Sequence, residues 1–362
     1  NGKWTHQGVF QYAYDLIIKD ASNQSYINQG NSLSDYYCFA QEVLSPVNGK
    51  IVRVINHIPD NTIGSVVSFN IWGNEVIIQD SRGFFIKIAH LSFQSITVFE
   101  GQSVAVGTLL GLCGNSGNSP QPHIHIQVQN SLYPGAATIP FVFVNYGQRN
   151  NFVSFGLPEE HLDIVQCSFN LFYDQVSNFV LDDEYTYEIF LHGELIDSLN
   201  FKVKMSESLL TYFESSHGKL YFGKQYGNYY AYSYEGKDPY LKLIYLALST
   251  MPISYVNDLR WQDKVNNSLV LNKWQLAICN FLNSIDNRWV SSHSHYQYKD
   301  DYCIIGKIEN SFFDITIETS ILLDPALKFK EITIGDYQLV QTNSHNTDTK
   351  QALSNTLITQ QG

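Results

Sequence analysis

The segment Pro122-His123-Ile124-His125-Ile126-Gln127-Val128 constrains this chain more than any other. Polar and aliphatic residues alternate through it without a break. That period of two marks a half-buried β-strand, in which successive side chains point to opposite faces. His123, His125 and Gln127 then share one face, and Ile124, Ile126 and Val128 fill the other. Two imidazoles side by side on a rigid strand suit a divalent metal or the water bound to it. Immediately upstream, Gly111-Leu112-Cys113-Gly114-Asn115-Ser116-Gly117-Asn118-Ser119 reads as a glycine-rich turn that delivers the strand to a cleft. A lone His-x-His is more often a hydrogen-bonded pair on an ordinary strand. Residues elsewhere in the chain decide between the two readings.

Three other stretches carry matching chemistry. Thr5-His6-Gln7-Gly8 leads into Ala13-Tyr14-Asp15, Ala89-His90-Leu91 closes an alternating strand, and His123 and His125 follow. A hydrolytic zinc site needs three protein ligands and one open position. Neutral imidazoles with one carboxylate meet that need and leave positive charge to acidify water. The chemistry also calls for a proton acceptor and a partner for the developing oxyanion. Four histidines and one aspartate can fill all of these roles.

On those residues the stretch from His6 to Val128 resembles the lysostaphin/LytM-type zinc metallopeptidases. The matching pieces are His6, Gly8, Ala13 and Asp15; Ala89-His90-Leu91; Gly101-Gln102-Ser103-Val104 with Gly107 and Gly111; Gly114-Asn115-Ser116-Gly117; and the Pro-His-Ile-His strand. The resemblance implies that His6, Asp15 and His125 bind Zn2+, and that His90 and His123 are catalytic, polarising water and stabilising charge. It further implies a β-sheet domain with a groove for an extended peptide, usually a bacterial peptidoglycan stem or cross-bridge. His6 and Asp15 stand farther apart than in compact relatives, and Gln127 occupies a place where relatives often carry Glu. Residues 20–40 and 57–66 read as insertions that shape the groove walls.

The expected fold is mainly β. A β-sheet metallopeptidase domain spans residues 1–158, a β-rich accessory domain with one or two helices spans 159–345, and a polar tail spans 346–362. A chain of 362 residues is long for one core, and tyrosine (24) and phenylalanine (22) favour strands. Val43 to Val54 reads as a hairpin about Asn48-Gly49, and Gly73 to Leu91 as a hairpin about Ser81-Arg82-Gly83. Further on, Tyr226-Gly227-Asn228-Tyr229 reads as a hairpin turn. Pro239 opens a helix with Leu241, Ile244, Tyr245 and Leu248 along one face.

A net charge of −12 argues against nucleic acid, whose phosphates need a basic face. No apolar run is long enough for a transmembrane helix. The sequence starts at Asn1 rather than Met, a start that removal of a leader or simple trimming would both produce; the first goes with an expectation of export from a bacterial cytoplasm, to the periplasm, the cell envelope or the medium. Five cysteines without a C-x-x-C pair give neither a zinc ribbon nor a disulfide framework. Oligomeric state is not encoded in any pattern here.

Several tempting features carry less. Ser292-His293-Ser294-His295 is a second His-x-His but lacks a glycine-rich entry and a carboxylate in pattern, so it reads as exposed. His57, His161, His192, His217 and His345 read as surface residues. Ser116 stands in half of a nucleophile elbow that fails at Asn118. The alternative to an enzyme is a non-catalytic cell-wall or peptide-binding scaffold on the same fold, with tyrosines stacking on sugars. That reading usually requires a missing ligand, and all five residues are present.

Overall fold

The computed structural model describes residues 8–133, 135–159, 162–256, 258–286 and 289–342. His6 and the polar tail therefore lie outside the described residues. The chain forms two compact units, Asn1–Phe141 and Val142–Gly362.

The first unit is built on a six-stranded antiparallel sheet. Its strands are β1 (Tyr14–Leu16), β3 (Gly49–Ile55), β4 (Asn74–Asp80), β5 (Phe85–Leu91), β6 (Ser103–Val104) and β8 (Ile124–Gln129), while β2 (Glu42–Leu44) and β7 (Leu109–Leu112) pair separately. The order across the sheet is β1-β8-β5-β4-β3-β6. Alternation sorts its two faces. Ile51, Val76, Ile78, Ile86 and Ile88 fill one face as a dry core, each at most 3% exposed. Side chains of this size contribute about 1.5–3 kcal/mol each when fully buried. The other face is polar and carries Asp15, Glu75, Lys87, His125 and Gln127, set beside one another by the registers Asp15↔His125, Lys87↔Gln127 and Glu75↔Ala89.

The β4–β5 hairpin forms as the sequence predicts. Asp80 closes its turn by accepting from the backbone N–H groups of Arg82 and Phe84 at 2.9 and 3.0 Å, and Gly83 takes the positive φ of 89° that the turn needs. The hairpin expected at Asn48-Gly49 does not form. A two-residue turn of that kind needs positive φ at both positions, and neither has it. Instead β2 pairs with β7, and β3 pairs with β4 and β6. Gly49 is spent on close packing, since a Cβ there would sit 2.4 Å from the Gln79 carbonyl oxygen, and Asn48 accepts from the Val106 N–H at 2.8 Å.

In the second unit β9 (Phe143–Gln148), β10 (Asn151–Gly156) and β11 (Ile164–Gln166) join strands within residues 184–341 in one fifteen-stranded sheet. The expected domain boundary lies between residues 158 and 159. The division falls after Phe141 because β9 and β10 pair with each other across Arg149 and Asn150, both at positive φ, and β10 continues onto the strand Arg260–Val265. Four α-helices occur among the described residues: α1 (Leu171–Val176), α2 (Pro239–Ala247), α3 (Asn267–Val270) and α4 (Lys273–Ile285). The predicted α2 starts with Pro239 behind an Asp238 cap that accepts from Tyr240 and Leu241 N–H. Nothing in the sequence reading marked α4, although Asn272 and Gln275 form a reciprocal capping box that opens it.

Many of the tyrosines belong to the core of this unit. Tyr173, Tyr185, Tyr187 and Tyr229 are among the largest fully buried side chains. The Tyr187 hydroxyl donates to the Phe329 carbonyl at 2.8 Å, and that of Tyr298 to the Pro252 carbonyl. Burial raises the phenols of Tyr187 and Tyr298 well above their ordinary range. These rings supply packing, as large amphipathic side chains do when their polar tip finds a partner. They are not available for stacking on a sugar.

Candidate active site

Asp15 reaches the site from β1, which is only three residues long and pairs antiparallel with β8. The register sets Asp15 directly opposite His125, so the two side chains share a face. Asp15 Oδ1 lies 2.9 Å from His125 Nδ1 and 3.8 Å from His123 Nε2.

His90 arrives by a different device. Ala89 pairs with His125 and therefore lies on the site face, so simple alternation sends His90 to the opposite face. The register between β4 and β5 slips at this point: Asn74 pairs with Leu91 while Glu75 pairs with Ala89. His90 is the extra residue of a β-bulge, with φ of 64°. Bulges bend the strand and re-aim a side chain. A left-handed backbone at a non-glycine residue costs on the order of 1–3 kcal/mol. Backbone hydrogen bonds offset it, from His90 N–H to Trp72 O at 3.1 Å and from Gly114 N–H to His90 O at 3.0 Å. The bulge turns the His90 ring to within 4.6 Å of the His123 ring and 6.0 Å of the His125 ring, between centroids.

The glycine-rich turn is what holds this bulge in place. A Cβ on Gly114 would meet Ser92 Cα at 2.4 Å, and one on Gly117, at φ of 77°, would meet Gly73 N at 2.3 Å. Ser116 Oγ donates to Leu91 O at 2.7 Å and accepts from Asn74 N–H at 2.9 Å, fully buried. Its hydroxyl is thus a structural link between the turn and β4–β5, with no exposed nucleophilic face. Asp60 adds a second clamp, accepting from Asn115 N–H at 2.6 Å and Ser92 Oγ at 2.9 Å.

The hydrogen bonds also decide how the imidazoles carry their protons. His90 Nδ1 lies 2.8 Å from the Ser116 carbonyl, which can only accept, so Nδ1 is the donor and Nε2 is the bare nitrogen. Burial pushes the His90 imidazole down to about 3, helped by His123 and His125 alongside. His123 Nδ1 likewise faces a carbonyl, Gln121 O at 2.9 Å, with Ser119 Oγ at 3.1 Å. His125 Nε2 faces Gln127 Oε1 at 3.0 Å. His90, His123 and His125 are 4%, 9% and 5% exposed, which removes them from the screening of bulk water.

Two neighbours were not marked by sequence reasoning. The Trp72 ring packs at 5.2 Å from that of His125, and the Lys87 ammonium lies 4.1 Å from the Trp72 centroid. Lys87 is buried and ion-paired to Glu75 at 3.2 Å; burial lowers its affinity for the proton, and Glu75 works against that. The alternating Asn74–Asp80 strand contains Glu75 on the polar face, a detectable signal. Trp72, in the turn before it, leaves no periodic trace.

Of the five residues singled out in the sequence, four come together: Asp15, His90, His123 and His125. The fifth, His6, lies outside the described residues. Among the described residues no set of three His, Cys, Asp or Glu side chains makes a metal site by itself. The donors that are described suit zinc in kind. A carboxylate oxygen stands beside an imidazole nitrogen, and the other nitrogen of that ring is engaged by an amide oxygen, the outer partner that zinc-binding histidines keep. The second His-x-His belongs to the second unit: His293 is exposed, with Nε2 on Ser291 Oγ at 2.9 Å, and His295 lies 3.5 Å from Glu309.

Comparison with known proteins agrees with the resemblance read from the motifs. Residues 35–135 match the model of Peptidase family M23. Among solved structures the chain is similar to the catalytic domain of the antimicrobial peptidase lysostaphin from Staphylococcus simulans, at 21% identity over 36% of this chain and 74% of that one, with a TM-score of 0.24. It is also similar to a variant of the catalytic domain of the prophage-encoded M23 protein EnpA from Enterococcus faecalis, at 18% identity over 32% of this chain and 85% of that one, with a TM-score of 0.21. A putative peptidase M23 from Pseudomonas aeruginosa aligns at 22% identity over 28% of this chain and 37% of that one, with a TM-score of 0.21. No curated protein matches.

Proposed function

We propose that this protein, which carries a peptidase family M23 segment, is a zinc-dependent endopeptidase that cleaves peptide bonds of bacterial peptidoglycan outside the cytoplasm. The observation that carries the reading is the convergence of Asp15, His90, His123 and His125 on the polar face of one sheet. His6, Asp15 and His125 are the ligands in this reading. A zinc ion held by them would supply Lewis acidity, acidifying water and polarising a carbonyl.

The chain's own residues do the rest. His90, neutral through burial and with its proton fixed on Nδ1 by Ser116 O, keeps Nε2 as a proton acceptor. His123, held by Gln121 O through Nδ1, turns Nε2 to the Asp15 side and is the second proton-handling group. Both rings are fixed before substrate arrives, so little reorganisation accompanies the reaction. The polar face between β1 and β4 receives the extended peptide.

The test is metal analysis of the purified chain together with mass spectrometry of digested cell-wall fragments, using His125→Ala as control. One equivalent of zinc, new peptide termini in the digest and loss of both in the variant are expected. Zinc uptake with every cross-linked peptide intact would sink the enzyme reading in favour of a binding module.

A further inference from the structure

Below the histidine pair, β8 continues on the same face with Gln127 and Gln129. Both are buried, at 1% and 0% exposure. Gln127 Oε1 meets His125 Nε2 at 3.0 Å, Gln127 Nε2 donates to Gln129 Oε1 at 2.8 Å, and Gln129 Nε2 donates to the backbone carbonyl of Ser131. Four groups at positions 125, 127, 129 and 131 thus form one row, as the two-residue period of a strand allows.

A row of this kind has a direction. The Ser131 carbonyl can only accept, so Gln129 must turn its NH2 end to it and its oxygen back along the strand. That oxygen can only accept, so Gln127 must present its own NH2 there and its oxygen to His125. The oxygen in turn accepts only from an N–H, so His125 Nε2 is a donor; on the other side of the ring Asp15 Oδ1, 2.9 Å from Nδ1, also accepts in this metal-free arrangement, and a metal at Nδ1 would take the place of that contact. The orientation of each amide, which a side chain by itself leaves open, follows from the carbonyl at the far end. Lys87, across from Gln127 in the sheet, sends its ammonium to Glu75 and leaves the row intact.

We infer that Gln127 and Gln129 are positioning residues which, anchored on the Ser131 carbonyl, keep a proton on His125 Nε2 and so reserve Nδ1, on the Asp15 side, as the metal-binding nitrogen. The inference rests on the proposed role of His125 as a ligand. It assigns a physical function to the glutamine at position 127. A neutral amide passes the polarity of a main-chain carbonyl along the strand, which a carboxylate cannot do. With Glu in that place the acceptor for His125 remains, but Gln129 would have to reverse and face Ser131 O with its own oxygen.

The test uses the full chain with 15N-labelled histidine, with and without zinc. In long-range proton–nitrogen spectra His125 Nε2 is expected to carry a proton in both states, slow to exchange with water, and zinc is expected to move the Nδ1 resonance. Gln127→Met should abolish the slow Nε2–H and weaken zinc binding, measured by chelator competition, by about 10- to 100-fold. Gln127→Glu should restore the Nε2–H and most of the affinity. Gln129→Leu, one link farther out, should give a smaller loss of the same kind and serves if Gln127→Met does not fold. A bare Nε2 in the unsubstituted protein, or a Gln127→Met protein with the slow proton and unchanged affinity, overturns the inference. If the protein takes up no zinc, the metal proposal fails, while the metal-free spectra still decide the direction of the row.

Discussion

The molecule contains the same short motif twice, and the two copies differ in what stands beside them. His293 and His295 lie two residues apart on a central strand, while His125 lies on β8 and His123 one residue before it, so each pair shares a face. Around His125 the flanking strands offer Asp15 on one side and Ala89 on the other, with His90 folded in by the bulge. Around the second pair the registers place Lys264 and Glu309 beside His293, and Gln262 and Lys307 beside His295. A lysine flanks each histidine of that pair, where it disfavours a bound cation. Lysine also occurs beside β8, yet Lys87 is two positions from His125 and is neutralised by Glu75. A His-x-His strand becomes a metal or proton-transfer candidate through its neighbours.

Removing what the first copy has and the second lacks should give the largest effect. His90→Ala deletes the buried neutral imidazole and is expected to lower kcat for peptide cleavage by roughly 10²- to 10⁴-fold, the usual worth of a general acid–base group. Retained zinc content would show that the loss is one of proton transfer. Next comes the lysine that the first copy neutralises. Lys87→Met leaves the Glu75 carboxylate buried with Arg53 alone, at 2.9 Å, and should cost about 3–5 kcal/mol in denaturant-measured stability. An unchanged unfolding midpoint would mean that the ion pair contributes nothing net.

A smaller effect tests the turn that only the first copy possesses. Gly117→Ala places a Cβ against Gly73 N at a positive φ, and about 1–3 kcal/mol of stability should be lost. Thermal unfolding measures it. The smallest effect belongs to the second copy: His293→Ala with His295→Ala should leave zinc content and cleavage unchanged and move stability by no more than about 0.5 kcal/mol. Loss of zinc in that double variant would break the comparison.

Local chemistry was legible in the chain without coordinates. The alternation in Pro122–Val128 specified a strand with both histidines on one face, because the pleat leaves a side chain only two directions. Pro239 behind Asp238, and Gly83 after Asp80, specified where a helix starts and a hairpin turns, through fixed φ and local side-chain caps. The glycines of 111–117 marked a tight turn leading into the Pro122–Val128 strand. Each of these rests on interactions between residues a few positions apart.

What the sequence could not give depends on partners distant in the chain. The Asn48-Gly49 turn looked like a hairpin, and the pull of β4, β6 and β7 on its two arms overrode it. β9 and β10 fall inside the expected first domain because the pairing that ties them to the rest of the second unit, Asn151 with Arg260, joins positions more than a hundred residues apart. Alternation alone would send His90 away from the site; one extra residue against Glu75, held by contacts from Trp72, Gly114 and Ser116, turns it in. Sequence periodicity decides which residues share a strand face, whereas register with a neighbouring strand decides which side chains meet across it. That register is set by long-range packing and by a single bulge.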